Sequence, residues 1–142
     1  MLETEAHIRV RFSETDAMGV VYHANYLAWF EVARTQLLAE AGLPYRELQD
    51  SGYLIPVLEI SLKYRAPAKF DDEIVVRARM EEFPRVKMRI DYEVRRENET
   101  LTTGHSVHAF MNRDGNAIKP PAFFLEKLRA EFDRGEARKN SR

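Results

Sequence analysis

From Val86 to Arg95 the chain alternates almost without fault, with Val86, Met88, Ile90, Tyr92 and Val94 standing between Lys87, Arg89, Asp91, Glu93 and Arg95. A period of two with one apolar and one charged face marks a half-buried strand. The pattern recurs on both sides. Leu58, Ile60, Leu62 and Tyr64 alternate with Glu59, Ser61, Lys63 and Arg65; Ile74, Val76, Ala78 and Met80 alternate with Val75, Arg77, Arg79 and Glu81. Residues 101–111 complete the set, with Gly104 expected to mark a bend or bulge. The connections at 83–85 and 97–99 are short enough for hairpins, so these neighbours are antiparallel. Each strand reads as roughly ten residues, about twice the usual length, and strands that long curl.

A curled sheet needs something to curl around. Between 25 and 41 the period turns helical, with Tyr26, Phe30, Ala33, Leu37 and Ala41 at three- and four-residue steps. Asn25 is the expected N-cap, Gly42 the expected C′ residue, and Pro44 prevents continuation. Leu27, Trp29 and Val32 make the first turns apolar almost all round, which predicts a helix enclosed by protein. One strand precedes it, with Ile8, Val10 and Phe12 on its buried face and His7, Arg9 and Arg11 outside. At ~1.5 Å per residue the helix matches the length of a ten-residue strand. The expected fold is α+β, a curled antiparallel five-stranded sheet around one long central helix, in order β-α-β-β-β-β. A cystatin-like cone wants its helix before the whole sheet, and a lipocalin-like barrel wants about eight strands, so both fit less well. A small helix is expected within 120–132, with Phe124, Leu128 and Phe132 on one side. Residues 1–133 read as one domain and 134–142 as a flexible, solvated tail.

The 142 residues suffice for one continuous core, and 44% apolar with 32% charged residues suits a soluble protein. No apolar run approaches the ~20 residues of a membrane span, and the opening MLETEAHIRV predicts no export signal. Absence of cysteine removes disulfides, thiolate metal sites and thiol nucleophiles, and fits a reducing cytoplasm. A net charge of −1 argues against a nucleic-acid surface. His7, His23, His105 and His108 follow no metal-ligand spacing, and His105 and His108 point to opposite faces of one strand, so no metal is expected.

The chemistry lies in D-A-M-G-V-V-Y-H-A-N-Y, Asp16 to Tyr26, between the first strand and the helix. Asp16, Gly19, His23 and Asn25 at this spacing resemble the hotdog-fold acyl-CoA thioesterases. The likeness is closest to the branch containing hydroxybenzoyl-CoA thioesterase and the thioesterase associated with the Tol–Pal system, and it extends over roughly residues 7–120. The resemblance implies a hotdog fold, hydrolysis of a thioester to free acid and CoA, Asp16 as nucleophile or general base, and no dissociable cofactor. It implies a supporting role for His23, which would orient Asp16, the water or the thioester oxygen. It also implies at least a homodimer, or a homotetramer, with sites near the subunit boundary. Chemically this is coherent. A thiol of pKa ~8.5 leaves readily, so the reaction lacks only an attacking group and donors for the developing oxyanion. Backbone N–H groups around Val20 to Tyr22, with Gly19 turning the chain tightly, are the expected donors. Coenzyme A needs cations: Arg85 and Lys87 match the place where related thioesterases carry basic residues, and Lys63 and Arg65 are further candidates.

Duller assignments remain open. Asp16 suits a turn, His23 and Asn25 suit a helix start, and alternating cations on a sheet are commonly plain surface. The aromatic run Tyr22, Tyr26, Trp29 and Phe30 divides between core and acyl pocket. A hotdog dehydratase would pair His23 with Glu31 and leave Asp16 unused. A passive acyl- or lipid-binding module would have no need of a carboxylate beside helix N–H groups.

Overall fold

The computed structural model describes residues 1–140. Strand β1 (Leu2–Arg9) and a 3-10 turn (Phe12–Glu14) lead to the central helix α1 (Asn25–Glu40) and the short α2 (Tyr45–Asp50). Then come β2 (Tyr53–Leu54), β3 (Val57–Tyr64), β4 (Glu73–Met80), β5 (Met88–Arg96), β6 (Glu99–His108), β7 (Phe110–Asn112), β8 (Ala117–Ile118) and α3 (Ala122–Asn140). Five long strands form one sheet in the order β1-β4-β5-β6-β3, every neighbour antiparallel, and β2-β7-β8 form a small second sheet. This is the expected hotdog arrangement.

Alternation places the core. Ile74, Val76, Ala78 and Met80 of β4 and Met88, Ile90, Tyr92 and Val94 of β5 are buried against Tyr26, Trp29, Phe30, Ala33 and Leu37 of α1. The Phe30 ring stacks on Tyr92 with centroids 4.2 Å apart. Gly42 ends the helix in a left-handed conformation, φ +78°, and the amides of Gly42 and Leu43 return to the carbonyls of Ala39 and Leu38. That pair of bonds is a Schellman C-terminus.

Several expectations are corrected. The first strand starts at Leu2, with Leu2, Thr4, Ala6 and Val10 inward, while Phe12 has left the strand and is 75% exposed against Phe70. Thr4 and Ala6 are too weakly apolar to announce a strand. Gly104 makes no bulge, since the ladder runs regularly through it between Leu62 and Tyr92. It is there for space: a Cβ would lie 2.2 Å from the Ser61 carbonyl oxygen and 2.9 Å from the Phe30 ring. Asn25 is the first helical residue and not the N-cap, which is Ala24. Val86 lies outside β5 and is exposed. Helix α1 is not enclosed all round, because Leu27 and Val32 are exposed. Edge strand β3 likewise leaves Val57, Leu58, Ile60 and Tyr64 open. Finally, α3 runs on to Asn140, so 134–140 continue a helix, while the last two residues of the expected tail lie outside the described residues.

Strand register gives the sheet two ends. Arg9, Glu73, Thr102 and Tyr64 mark one; Leu2, Met80, Met88, His108 and Val57 mark the other. Seven residue steps along β3 separate them by about 23 Å.

Candidate active site

The chain leaves β1 at the Arg9 end and must turn back to enter α1. It does so in a tight loop closed by an isolated bridge between Thr15 and Val21. The Asp16 amide donates to the Val20 carbonyl at 2.9 Å and the Gly19 amide to the Asp16 carbonyl at 3.0 Å. Gly19 has φ +78° with nothing within 4 Å of where a Cβ would stand, so the backbone conformation alone calls for glycine. The Asp16 side chain is half-buried. Its Oδ1 accepts from the Met18 amide at 2.9 Å, an Asx turn, and Oδ2 has no partner among the described residues. Turn and candidate reactive group are therefore the same residue, with one oxygen spent on the loop and one left over.

Of the expected N–H donors, Val20 has no backbone acceptor among the described residues, while the other two are engaged. Val21 donates to the Ala68 carbonyl at 2.9 Å and Tyr22 to the Glu14 carbonyl at 2.8 Å, so neither is free. Among the described residues, the amides of His23 and Ala24 at this helix start also lack a backbone acceptor. They stand at the positive end of α1.

His23 is exposed, its ring against Tyr22 with centroids 4.4 Å apart. Its carbonyl accepts from the Tyr64 hydroxyl at 2.9 Å, which ties the helix start to the end of β3. Burial, aided by Tyr26, raises the Tyr64 hydroxyl above the ordinary tyrosine value, so it stays a donor. Tyr26, Trp29 and Phe30 belong to the core, and Tyr22 alone of that aromatic run is exposed.

Lys63 and Arg65 flank Tyr64 and are exposed at the Asp16 end of the sheet. Arg85 and Lys87, in the β4–β5 connection, are exposed at the opposite end. One chain does not bring them to its own Asp16. Glu31 does not meet His23 either; it lines a separate cavity of about 310 Å³ beside α1 with Arg34, Tyr45, Pro56 and Met88. A larger cavity of about 490 Å³ lies over the charged outer face of the sheet, among Arg77, Arg79, Arg89 and Asp91. Asp16 and His23 line neither.

Glu14 escaped sequence reading. Its side chain is only 6% exposed. Oε1 accepts from the Arg11 amide at 2.8 Å and Oε2 from the indole of Trp29, the chain's single tryptophan, at 2.8 Å. The Asn25 side-chain amide donates to the Glu14 carbonyl at 2.7 Å. Burial pushes the Glu14 carboxyl up, but the Arg11 amide, the Trp29 indole and the nearby Arg11 guanidinium outweigh burial and leave it below the usual carboxylate range. Nothing local announces this role, because Trp29 is fifteen residues away in sequence.

Deeper in the core, Arg34, Tyr92, Ser106 and His108 form a chain of hydrogen bonds at 3.1, 2.7 and 2.8 Å. His108 is wholly buried, and its Nδ1 makes no well-formed hydrogen bond among the described residues, although the Ile55 and Pro56 carbonyls lie near the ring. His105, on the other face of β6, is only half-buried beside Glu59.

A curled sheet around one helix, with a carboxylate turn at the helix start, defines a hotdog protein of the thioesterase type. The chain belongs to the Thioesterase-like superfamily, whose family model matches residues 10–128. It is 34% identical over 121 residues to a putative esterase of Aquifex aeolicus, covering 85% of this chain and 94% of that one. It is 38% identical over 91 residues to the putative acyl-CoA thioesterase YneP of Bacillus subtilis, covering 64% of this chain and 66% of YneP. Among solved structures, a DHNA-CoA thioesterase from Staphylococcus aureus superimposes with TM-score 0.88 at 26% identity, covering 100% of this chain and 97% of that one.

Proposed function

We propose that the chain hydrolyses acyl-CoA thioesters to the free acid and CoA, with Asp16 as the attacking or water-activating group. The observation that carries this reading is the Asp16 Oδ2, without a partner on a loop pinned to the start of α1, where the His23 and Ala24 amides also lack acceptors. Names of relatives support it, YneP and the S. aureus protein both being described as CoA thioesterases.

The chemistry follows from those atoms. The thioester oxygen lies against the His23 and Ala24 N–H groups, which strengthen their hold as charge develops on it; one such donor is worth about 3 kcal/mol. Asp16 then either adds to the acyl carbon, forming an anhydride that water opens, or takes a proton from the water that adds. The carbon–sulfur bond breaks and CoA leaves as a thiolate that needs little acid assistance. Gly19 sets the turn, and the rings of His23 and Tyr22 pack on each other at the start of α1.

A homodimer through β3 belongs to the same reading. The strand's outer edge is unpaired and its apolar side chains are exposed, an arrangement that invites a second strand. Antiparallel pairing sets the Val57 end of one copy beside the Tyr64 end of the other. Arg85 and Lys87 of the second copy then approach the first copy's Asp16, joining Lys63 and Arg65 around the CoA phosphates. Two such dimers could associate further as a tetramer. Location in the cytoplasm, with its CoA pool, fits the lack of cysteine. Among the described residues, no helix is long and apolar enough to cross a membrane.

The test is thiol release from a panel of short, long and aromatic acyl-CoA thioesters. Turnover of at least one well above the buffer rate is expected. Tight binding of the panel with no cleavage would instead establish a passive acyl-binding module.

A further inference from the structure

We propose that Glu14 is the positioning residue of this site, a buried carboxylate that locks the Asp16 loop onto α1. The inference rests on the reading of Asp16 as the reacting group.

Glu14 ties the loop at both ends. Its carboxylate joins the Arg11 amide before the loop to the Trp29 indole in the second turn of α1. Its carbonyl accepts from the Tyr22 amide and the Asn25 side chain at the loop's close. Residues 15–24 are thereby cinched at one point, and Asp16 stands two residues from it. The His23 and Ala24 amides directly follow the Tyr22 amide bound there. Attacking group and donors are thus referenced to the same residue, which is what near-attack geometry requires.

Charge is the informative part. A buried carboxylate is costly to desolvate, and here two N–H donors and the Arg11 guanidinium, 3.4 Å from Oε1, offset that cost. A carboxylate offers two strong acceptors on one rigid fork, and charge-assisted bonds are roughly twice as strong as neutral ones. Glutamine at this position has one acceptor oxygen and a donor in place of the other. It cannot serve Arg11 and Trp29 together. The loop then gains freedom without any change in the residues that would touch substrate.

The experiment compares Glu14→Gln, Trp29→Phe and the double variant with wild type, well below each melting temperature. Expected is a fall in kcat of about tenfold or more for Glu14→Gln, since a misplacement of ~1 Å can cost up to 10²-fold, with KM for acyl-CoA within about threefold. Trp29→Phe should fall in the same direction, and the double variant should lose less than the product of the two single losses, because both substitutions act on one carboxylate staple. Should Glu14→Gln not fold, Trp29→Phe carries the test by the same split between kcat and KM. A normal kcat in folded variants, a loss that merely tracks the unfolded fraction, or multiplicative losses in the double variant would overturn the proposal. Asp16→Asn separates the two readings. If it is inactive while Glu14→Gln turns over normally, only the Glu14 proposal fails; if it keeps full turnover, both fail.

Discussion

At Gly104 the sheet and the central helix meet closely, and Gly104→Ala perturbs both with one methyl group. The new Cβ would lie 2.2 Å from the Ser61 carbonyl oxygen of β3, about 1.3 Å inside a van der Waals contact of ~3.5 Å. It would also lie 2.9 Å from Cε2 and 3.1 Å from Cζ of Phe30. Phe30 has little room to yield, being fully buried and stacked on Tyr92. The displacement therefore falls on the backbone of edge strand β3. Overpacking usually costs 1–3 kcal/mol, and a backbone obstacle puts this case near or above the upper end, about 3 kcal/mol. At ~3 °C per kcal/mol for a chain of this size, the melting temperature should drop by about 10 °C. Thermal unfolding followed by circular dichroism at fixed protein concentration reads this directly. Outward movement of β3 should also loosen the Tyr64–His23 bond and lower turnover. A melting temperature within ~2 °C of wild type would refute the close packing on which this reasoning depends.

Stability should also depend on His108. Burial first, then the Arg34 charge, depress it to about 4, partly offset by the Ile55 and Pro56 carbonyls. The folded state holds it neutral while the unfolded chain protonates near 6.5, so stability is present above 6.5 and is lost as pH falls from 6.5 towards 4. That loss is about 3 kcal/mol, and urea unfolding should show it shrinking in His108→Gln. Ile60→Asp on the open face of β3 should shift light scattering to monomer and reduce turnover more than tenfold; an active monomer would remove the shared-site reading.

How much of this was legible in sequence depended on whether a signal was local. Central strands β4 and β5, enclosed by neighbours on both edges, alternate because one face is buried along their whole length. Edge strand β3 alternates just as well, yet its apolar side chains are open in a single chain, since alternation records a face and not its cover. Gly42 was readable as a helix end because the left-handed turn is its own signal. Asn25 misled because its side chain, expected to cap the helix, instead reaches the Glu14 carbonyl across the loop. The Asp16 turn was visible as a spacing of residues. Glu14 was not, since its meaning lies in a tryptophan one strand-to-helix crossing away, and which amides are engaged could be assigned only once the partners of Val21 and Tyr22 were known.

The central claim is that the spare oxygen of Asp16 attacks the thioester or activates the water that does. Asp16→Asn keeps the volume and an oxygen able to accept from the Met18 amide, so the loop should survive. The account predicts that steady-state kcat on the best acyl-CoA falls at least about a thousandfold while binding of that thioester, measured by calorimetry, stays within a few-fold of wild type. Turnover by the asparagine variant near the wild-type rate would contradict it.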